Sequence, residues 1–290
     1  MSKISYSQYS MWANCPMAWK LKYVDGHVFE DNSIHLIFGT AMHEVIQDWL
    51  SMVFNKSETA ANSIDLSDQL EQKLSTMFKA SIQIDENGSK VFLCDRQTLT
   101  DFYTQGCQII EYIQKHRKNI CPTKDVELIG IEHELNIEVK PNVHYIGYID
   151  IVTKNTITGA ITIYDLKTSK SGWSSYQKSD PIKLQQLLLY KKFFSEQMNV
   201  PENLISVEFV ILKRTIFESD MYHIPRVSKF EPANGKPSVN KAWNAMQAFI
   251  NECFDENGDH KVDTIKANSS KNNCRWCVYK DKKNLCPYGV

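Results

Sequence analysis

Residues 147–167 read Gly-Tyr-Ile-Asp-Ile-Val-Thr-Lys-Asn-Thr-Ile-Thr-Gly-Ala-Ile-Thr-Ile-Tyr-Asp-Leu-Lys, and this stretch is the best guide to the fold. Two short apolar runs each deliver one carboxylate, Asp150 and Asp165, and Lys167 follows the second acid by two residues. Because residues i and i+2 of a strand point to the same face, Asp165 and Lys167 project together, with Leu166 buried behind them. Two acids and a lysine at one sheet edge are typical of a site for a hydrated divalent cation and an activated water. The alternative is a β-hairpin that carries ordinary surface charges.

Alternation of apolar and polar residues surrounds this stretch and predicts strands with one face in water. Turn residues at 141–142 and 158–159 separate the segments. The three predicted strands are 127–139, 145–153 and 160–167. They form an antiparallel meander that bears both acids. Glu132 and Glu134 lie on the strand next to Asp150 and are minor candidates for the site, since most glutamates on such a face are solvated.

The segment after the meander predicts a return to the same sheet. Residues 180–198 have the apolar content of a helix, and Asp180-Pro181 is a typical helix start. Residues 204–214 form an apolar, β-rich run that suits a central strand. A helix between two strands of one sheet indicates an α/β crossover. The predicted fold class is therefore α/β, with a mixed central sheet flanked by helices.

Apolar spacing predicts helices in the rest of the chain. They are expected at 5–24, 36–55, 66–83, 96–118 and 240–254, with a polar loop at 266–273. Cys15-Pro16 interrupts the first helix, and Ser5 with Gln8 resembles a capping box at its start. His43 falls on the buried stripe of the second helix. It is either a hydrogen-bonded core histidine or a metal ligand.

The cysteines fall into two groups. Cys274 and Cys277 have C-x-x-C spacing and Cys286 follows them, which is typical of a metal site in a reducing compartment. Such sites normally have four ligands, and Cys15, beside a proline in an aromatic setting, is the natural fourth. The alternative is a redox-active or incidental C-x-x-C. Cys94, Cys107 and Cys121 lack ligand spacing and are predicted to be structural.

Composition limits the function classes. The 290 residues carry 33 Lys+Arg against 34 Asp+Glu, a net charge of −1, so no global basic excess favours a nucleic-acid binder, although a local basic groove would suffice. The sequence shows neither the apolar segment of a signal peptide nor the run of about 18 apolar residues that a membrane span needs. These features predict a soluble, cytoplasmic protein.

Several of these segments together resemble the PD-(D/E)XK nuclease superfamily, in particular its RecB-like branch with the AddB-type and CRISPR-adaptation-type iron–sulfur nucleases. The matching segments are Gly39-Thr40-Ala41-Met42-His43, Gly147-Tyr148-Ile149-Asp150, Asp165-Leu166-Lys167, Gln186 through Tyr190, and the cysteines 15, 274, 277 and 286. They occur in the order of the family and span nearly the whole chain. The resemblance implies a restriction-endonuclease-like core and DNA hydrolysis that depends on Mg²⁺ or Mn²⁺.

The resemblance also implies a role for each matching residue. His43, Asp150, Asp165 and the Leu166 carbonyl would hold the cation, and Lys167 would position or activate the attacking water. Gln186 and Tyr190 would support the site, and the spacing to Tyr190 favours Gln186 over Gln185. Cys15, Cys274, Cys277 and Cys286 would bind a [4Fe–4S] cluster. The eight residues between Cys277 and Cys286 exceed the five expected in the family, which leaves Zn²⁺ as an alternative.

The sequence thus predicts a single nuclease domain over 1–290, in which segments 15–35 and 266–290 form a cysteine clamp. Its expected activity is that of an exonuclease on single-stranded DNA or DNA ends in recombination, repair or replication, with a helicase or recombination partner. The alternative is a catalytically idle DNA-binding or scaffold subunit with a structural metal. Three residues after the motif are weaker candidates for DNA contacts: Lys170 for the backbone, and Trp173 and Tyr176 for stacking on bases or for packing the loop.

Two further basic pairs are expected to hold the DNA backbone. They are Lys191-Lys192 and Lys213-Arg214.

Overall fold

A computed structural model describes residues 1–29, 33–217, 224–261 and 265–290. Helices and strands follow one another along these ranges. In chain order they are β1 (Ser2–Ile4), α1 (Tyr6–Asn14), α2 (Pro16–Trp19), α3 (Ile34–Asn55), α4 (Glu58–Asn62), α5 (Leu66–Ala80), β2 (Gln83–Ile84), β3 (Lys90–Val91), α6 (Arg96–Lys115), β4 (Val126–Lys140), β5 (Val143–Asn155), β6 (Ile161–Ser169), α7 (Ser175–Ser179), α8 (Pro181–Met198), β7 (Ile205–Lys213), β8 (Val227–Phe230), α9 (Lys236–Cys253) and α10 (Lys271–Cys274).

The described ranges contain a six-stranded mixed sheet, which confirms the predicted fold class. Strands β4, β5 and β6 form the predicted antiparallel meander. Helix α8 then crosses over, and β7 lies parallel to β6, as expected of an α/β crossover. Strand β8 pairs antiparallel with β7 at one edge, and β1 pairs parallel with the beginning of β5.

Apolar side chains fill both faces of the sheet. On one face, α3, α5 and α6 pack over Ile151, Leu166 and Val210, all fully buried. The other face is covered by α1, α8 and α9, which enclose residues such as Ile163 and Phe209. Residues 163–166 of β6 are all buried, because successive side chains of a strand point to opposite faces and both faces of this sheet are covered. Leu166 thus lies in the core behind Asp165, as the sequence predicts.

The register between β5 and β6 places the two acids. Its last backbone pair is Ile151 opposite Tyr164, so Asp150 and Asp165 are the next residues in line, where the ladder opens. There a side chain replaces the backbone as hydrogen-bond acceptor. The Leu166 N–H donates to Asp150 Oδ2 at 2.6 Å. The sequence gap of 15 residues between the acids is therefore closed by the hairpin itself.

The N-terminal helices show the predicted interruption. Helix α1 ends at Asn14, Cys15 has an extended backbone, and Pro16 begins α2, where its missing N–H costs nothing. The capping box at Ser5 is only half formed. The Ser5 hydroxyl accepts from the Gln8 N–H, but the Gln8 amide donates to the Lys3 carbonyl.

Some boundaries differ from the prediction. Helix α9 begins at Lys236 rather than 240, because Pro237 is accepted in a first helical turn. The segment predicted as a loop at 266–273 contains the start of α10 at Lys271, which Ser270 caps. Strands β1, β2, β3 and β8 were not predicted, since two to four residues are too few to show a period, and Gln83 of β2 falls at the end of the predicted helix 66–83. In the described ranges no helix is both long and apolar enough to cross a membrane.

Candidate active site

Asp165 lies at the centre of the candidate site and is almost completely buried, with 2% of its surface exposed. Burial raises the pKa of its carboxyl to about 6, and the like charge of Asp150 adds to the rise, while Lys167 and His43 offset part of it. The Lys167 ammonium lies 2.7 Å from Oδ2. That contact is not aligned as a hydrogen bond, and within the described ranges Oδ2 has no other partner. An anionic oxygen with free acceptor capacity therefore faces the site.

Lys167 connects Asp165 to helix α8. Its Nζ donates to Gln186 Oε1 at 3.1 Å, and Gln186 Nε2 donates to the Tyr190 hydroxyl at 3.0 Å. Burial lowers the pKa of Lys167, but Asp165 and Asp150 raise it by more, so it stays charged. The neighbouring Gln185 points away and accepts from the Tyr9 hydroxyl at 2.6 Å. Of the two glutamines, Gln186 is thus the one at the site.

His43 approaches Asp150 from helix α3. Its Nδ1 lies 3.6 Å from Asp150 Oδ1. Burial lowers the pKa of His43, but the neighbouring carboxylate of Asp150 more than reverses this, and the net pKa is raised. Burial raises the pKa of Asp150, yet His43, Lys167 and the Leu166 N–H together bring it below its usual value. Asp150 is therefore ionised, whereas Asp165 takes up a proton far more readily.

A cleft of about 480 Å³ opens beside His43. Helix α3 passes close to β6 there. A Cβ on Gly39 would lie only 3.3 Å from the Thr168 hydroxyl, so glycine allows the close approach. The cleft is also lined by Gln47 and Glu132. The predicted stripe of α3 holds, since Ile46 is fully buried, but the His43 side chain keeps 25% of its surface exposed and faces this opening.

Two side chains near the site were not predicted. Gln47 is 5% exposed and donates to the carboxylate of Glu132. Its position four residues after His43 on one helix face was the available signal. The Tyr6 hydroxyl is buried without a hydrogen-bond partner in the described structure. Burial raises its pKa, and Tyr9, Asp180 and Asp165 add to the rise, which brings Tyr6 into the electrostatic environment of the acids.

The three weaker candidates for DNA contacts differ in their exposure. Lys170 is exposed just after the end of β6, the strand that carries Asp165 and Lys167, and Tyr176 on α7 is 81% exposed. Trp173 instead packs inward. Its ring centroid lies 4.8 Å from that of Phe209, and Lys183 lies over the ring at 5.7 Å.

The prediction that Lys191 and Arg214 hold a nucleic-acid backbone is wrong, because both cations are buried and bound by the protein. The Lys191 ammonium donates to the backbone and side-chain oxygens of Asn234 at 2.9 and 2.8 Å. The Arg214 guanidinium lies 4.1 Å over the Phe102 ring and donates to Gln105.

Cysteines from both ends of the chain come together. Cys15 and Cys277 line one cavity of about 520 Å³, and Cys274 and Cys286 are buried nearby. Burial raises the pKa of the Cys277 thiol, and the other three thiols raise it further. Part of the predicted clamp, residues 30–32, lies outside the described residues. Cys94, Cys107 and Cys121 instead pack in or against the apolar core under α3.

The donor sets fit two different metals. Carboxylate oxygens with one imidazole suit Mg²⁺ or Mn²⁺, and four thiols suit zinc or iron. In the ranges described, however, no three His, Cys, Asp or Glu side chains are arranged so that they could hold a metal ion. At the acids, His43 and Lys167 face the carboxylates instead.

Comparisons with known proteins fit this geometry. No curated protein matches the chain. The structure is similar to the crystal structure of SSO0001 over 95% of both chains, at 13% identity and a TM-score of 0.33, a likeness too weak to carry an argument. The family model of the PD-(D/E)XK nuclease superfamily matches residues 3–287. Since that match spans almost the entire sequence, the chain belongs to the PD-(D/E)XK nuclease superfamily of metal-dependent nucleases.

Proposed function

We propose that this chain is a Mg²⁺- or Mn²⁺-dependent exonuclease of the RecB-like branch that acts on single-stranded DNA or DNA ends. The observation that supports this most is the placement of Asp150 and Asp165 side by side where the β5–β6 ladder opens, with Lys167 2.7 Å from the second acid. Recombination, repair or replication in the cytoplasm, beside a helicase or recombination partner, is the setting that we propose.

In this proposal, His43, Asp150, Asp165 and the Leu166 carbonyl hold the cation. The cation would polarise the phosphoryl oxygen and lower the pKa of a bound water. The oxygen donors and one imidazole suit that cation, and Asp165 Oδ2 has acceptor capacity to offer it.

Lys167 would supply positive charge where negative charge develops on the phosphate. Preorganised charge of this kind stabilises a transition state without any need to rearrange. Gln186 fixes the ammonium from α8, and Tyr190 in turn fixes Gln186, which restricts Lys167 to a small range of positions. These three residues and the two acids form the proposed catalytic set.

The ends of the chain are proposed to share a metal centre. Cys15, Cys274, Cys277 and Cys286 would bind a [4Fe–4S] cluster, or alternatively Zn²⁺, and so join segments 15–35 and 266–290 within one domain over 1–290. The support is geometric. Cys15 and Cys277 line one cavity, Cys277 packs against the small cluster that contains Cys286, and the Cys277 N–H donates to the Cys274 carbonyl at 3.1 Å.

DNA is proposed to bind along the segment that follows β6. Lys170 would contact a phosphate, and Tyr176, exposed on α7, is better placed than Trp173 to stack on an unpaired base.

A cleavage assay tests the function directly. End-labelled single-stranded, duplex and circular DNA are incubated with Mg²⁺, Mn²⁺ or EDTA. We expect cleavage of linear substrates with either cation, none with EDTA, and little on circles. Cleavage of circles as fast as linear DNA would contradict the exonuclease proposal. No cleavage of any substrate would favour the alternative of an idle DNA-binding or scaffold subunit.

Mn²⁺ binding is expected to weaken as the pH falls below about 6. Below the raised pKa of Asp165, its carboxyl holds a proton that a cation must displace, and His43, whose pKa is raised by Asp150, competes in the same direction. The dissociation constant should rise by about tenfold per pH unit for each proton that the cation displaces, and so by up to about 100-fold per unit where both groups are protonated. Titration calorimetry from about pH 8 to about pH 5 measures it. A constant affinity over that range would contradict the assignment of Asp165 as a ligand.

A further inference from the structure

Glu132 has an unusual backbone conformation inside a strand. Its φ is +48°, in the left-handed region that side-chain-bearing residues rarely adopt. In the described structure the other non-glycine residues with positive φ are Asp or Asn at the ends of elements, namely Asp125, Asn142 and Asn199. If position 132 served the fold alone, glycine would be the suitable residue. A strained residue of this kind indicates a function for its side chain.

The register places Glu132 opposite a proposed metal ligand. The pairs Ile131 with Ile151 and His133 with Ile149 flank it, so its neighbour across the strands is Asp150. Its carboxylate lines the same cleft as His43. The acid thus lies beside the proposed reaction centre on β4, the first strand of the meander.

A buried amide holds the Glu132 carboxylate. Gln47 Nε2 donates to Glu132 Oε1 and lies 3.4 Å from the Asp150 carbonyl oxygen. Gln47 lies one turn after His43 on α3, so this amide connects the helix of the histidine to the strands of both acids. Glu132 is exposed, like Glu134, and among the residues that the structure describes its Oε2 accepts no hydrogen bond and its carboxylate has no cationic partner, so this oxygen is open to water.

Electrostatics agree with this placement. Burial raises the pKa of the Tyr190 hydroxyl, and the carboxylates of Asp165, Asp150 and Glu132 also raise it. The Glu132 carboxylate is therefore near enough to Tyr190 to influence its hydroxyl, as the two aspartates do.

We propose that Glu132 is a positioning residue of this centre, held by Gln47 so that its free oxygen accepts hydrogen bonds from the water shell of the bound divalent ion. This inference rests on the proposed function. Carboxylates that hydrogen-bond the ligands of a metal typically contribute 10- to 100-fold to metal affinity or activity. Glu132 would act through these waters and not as a direct ligand.

Three variants test the proposal: Glu132→Gln, Glu132→Gly and the matched control Glu134→Gln. Glu134 is an exposed acid two residues further along the same strand. Mn²⁺ affinity is measured by calorimetry without DNA, together with the thermal melting temperature and the rate of cleavage. We expect both Glu132 variants to weaken Mn²⁺ binding by about tenfold or more, and the control to bind as wild type. Glu132→Gly should melt no lower than wild type, because glycine relieves the backbone strain.

The outcomes distinguish a failure of the role proposed for Glu132 from a failure of the proposed nuclease function. A wild-type protein that cleaves DNA, together with Glu132 variants that bind Mn²⁺ as tightly as it does, would overturn only the role of Glu132. An equal loss of affinity in Glu134→Gln would also overturn it, since the loss of any negative charge on this strand would then have the same effect. A wild-type protein that neither binds Mn²⁺ nor cleaves would contradict the proposed function, and this inference with it.

Discussion

Replacing Lys167 by alanine is expected to lower the rate of DNA cleavage by about 10³-fold, since removing one preorganised charge from a reaction centre has an effect of this order. The ammonium is held between Asp165 and Gln186, so alanine removes a positive charge from a fixed position beside the acid. Without its neighbour, Asp165 would also take up a proton more readily. Single-turnover cleavage with Mg²⁺ and with Mn²⁺ measures the loss.

Lys154→Ala is the matched control for this experiment. Lys154 belongs to the same hairpin but pairs with Glu127 at the surface, 3.2 Å away, where an ion pair contributes little. Circular dichroism should show that both variants are folded. Full activity in Lys167→Ala would refute the catalytic role of the lysine, and an equal loss in Lys154→Ala would show that the effect is not local.

Replacing Cys286 by serine is expected to remove the metal from the cysteine clamp. The thiol is buried beside the other three, and a hydroxyl is a far weaker ligand for iron or zinc. Loss of a structural metal removes folding free energy, so the melting temperature should fall by roughly 10 °C. Protein purified without oxygen is compared by metal analysis, visible absorption and calorimetry.

The same measurements decide which metal is present. Iron–sulfur clusters absorb visible light and Zn²⁺ does not, so a colourless wild type that contains zinc would support the alternative. Cys94→Ser is the control. Cys94 packs against the apolar core under α3 and has no metal-ligand spacing to another cysteine. If Cys286→Ser keeps its metal and its melting temperature, the proposed clamp does not exist.

Much of the sheet follows from the sequence because its signals are local. Alternation in 127–139 and the turn at 158–159 specify the hairpins, and the helix between β6 and β7 specifies the parallel return. The proximity of Asp150 and Asp165 is then a matter of register. Helix position made His43 a candidate, and family resemblance gave roles to His43 and Gln186; the structure brings His43 to Asp150 and Gln186 to Lys167.

Features that depend on distant contacts could not be predicted in this way. Nothing near Lys191 in the sequence shows that its charge is satisfied by Asn234, 43 residues later. The left-handed backbone at Glu132 lies inside a strand at a residue other than glycine, so nothing at that position in the sequence marks it. The bond from the Leu166 N–H to the Asp150 carboxylate replaces a ladder bond that the pattern would have assigned to the backbone.

The pairing of β1 with β5 has a consequence for the order of events during synthesis. Ser2–Ile4 pair with Val143–Tyr145, and the Ser2 hydroxyl donates to the Gly258 carbonyl at 2.7 Å. Closing so long a loop costs entropy that no local contact returns. On the ribosome, β1 therefore has to wait for about 140 further residues before its partner strand emerges. Strand β1 therefore reaches its native position only after Val143–Tyr145 have been made, and the Ser2 hydroxyl finds its partner only after Gly258 has been made.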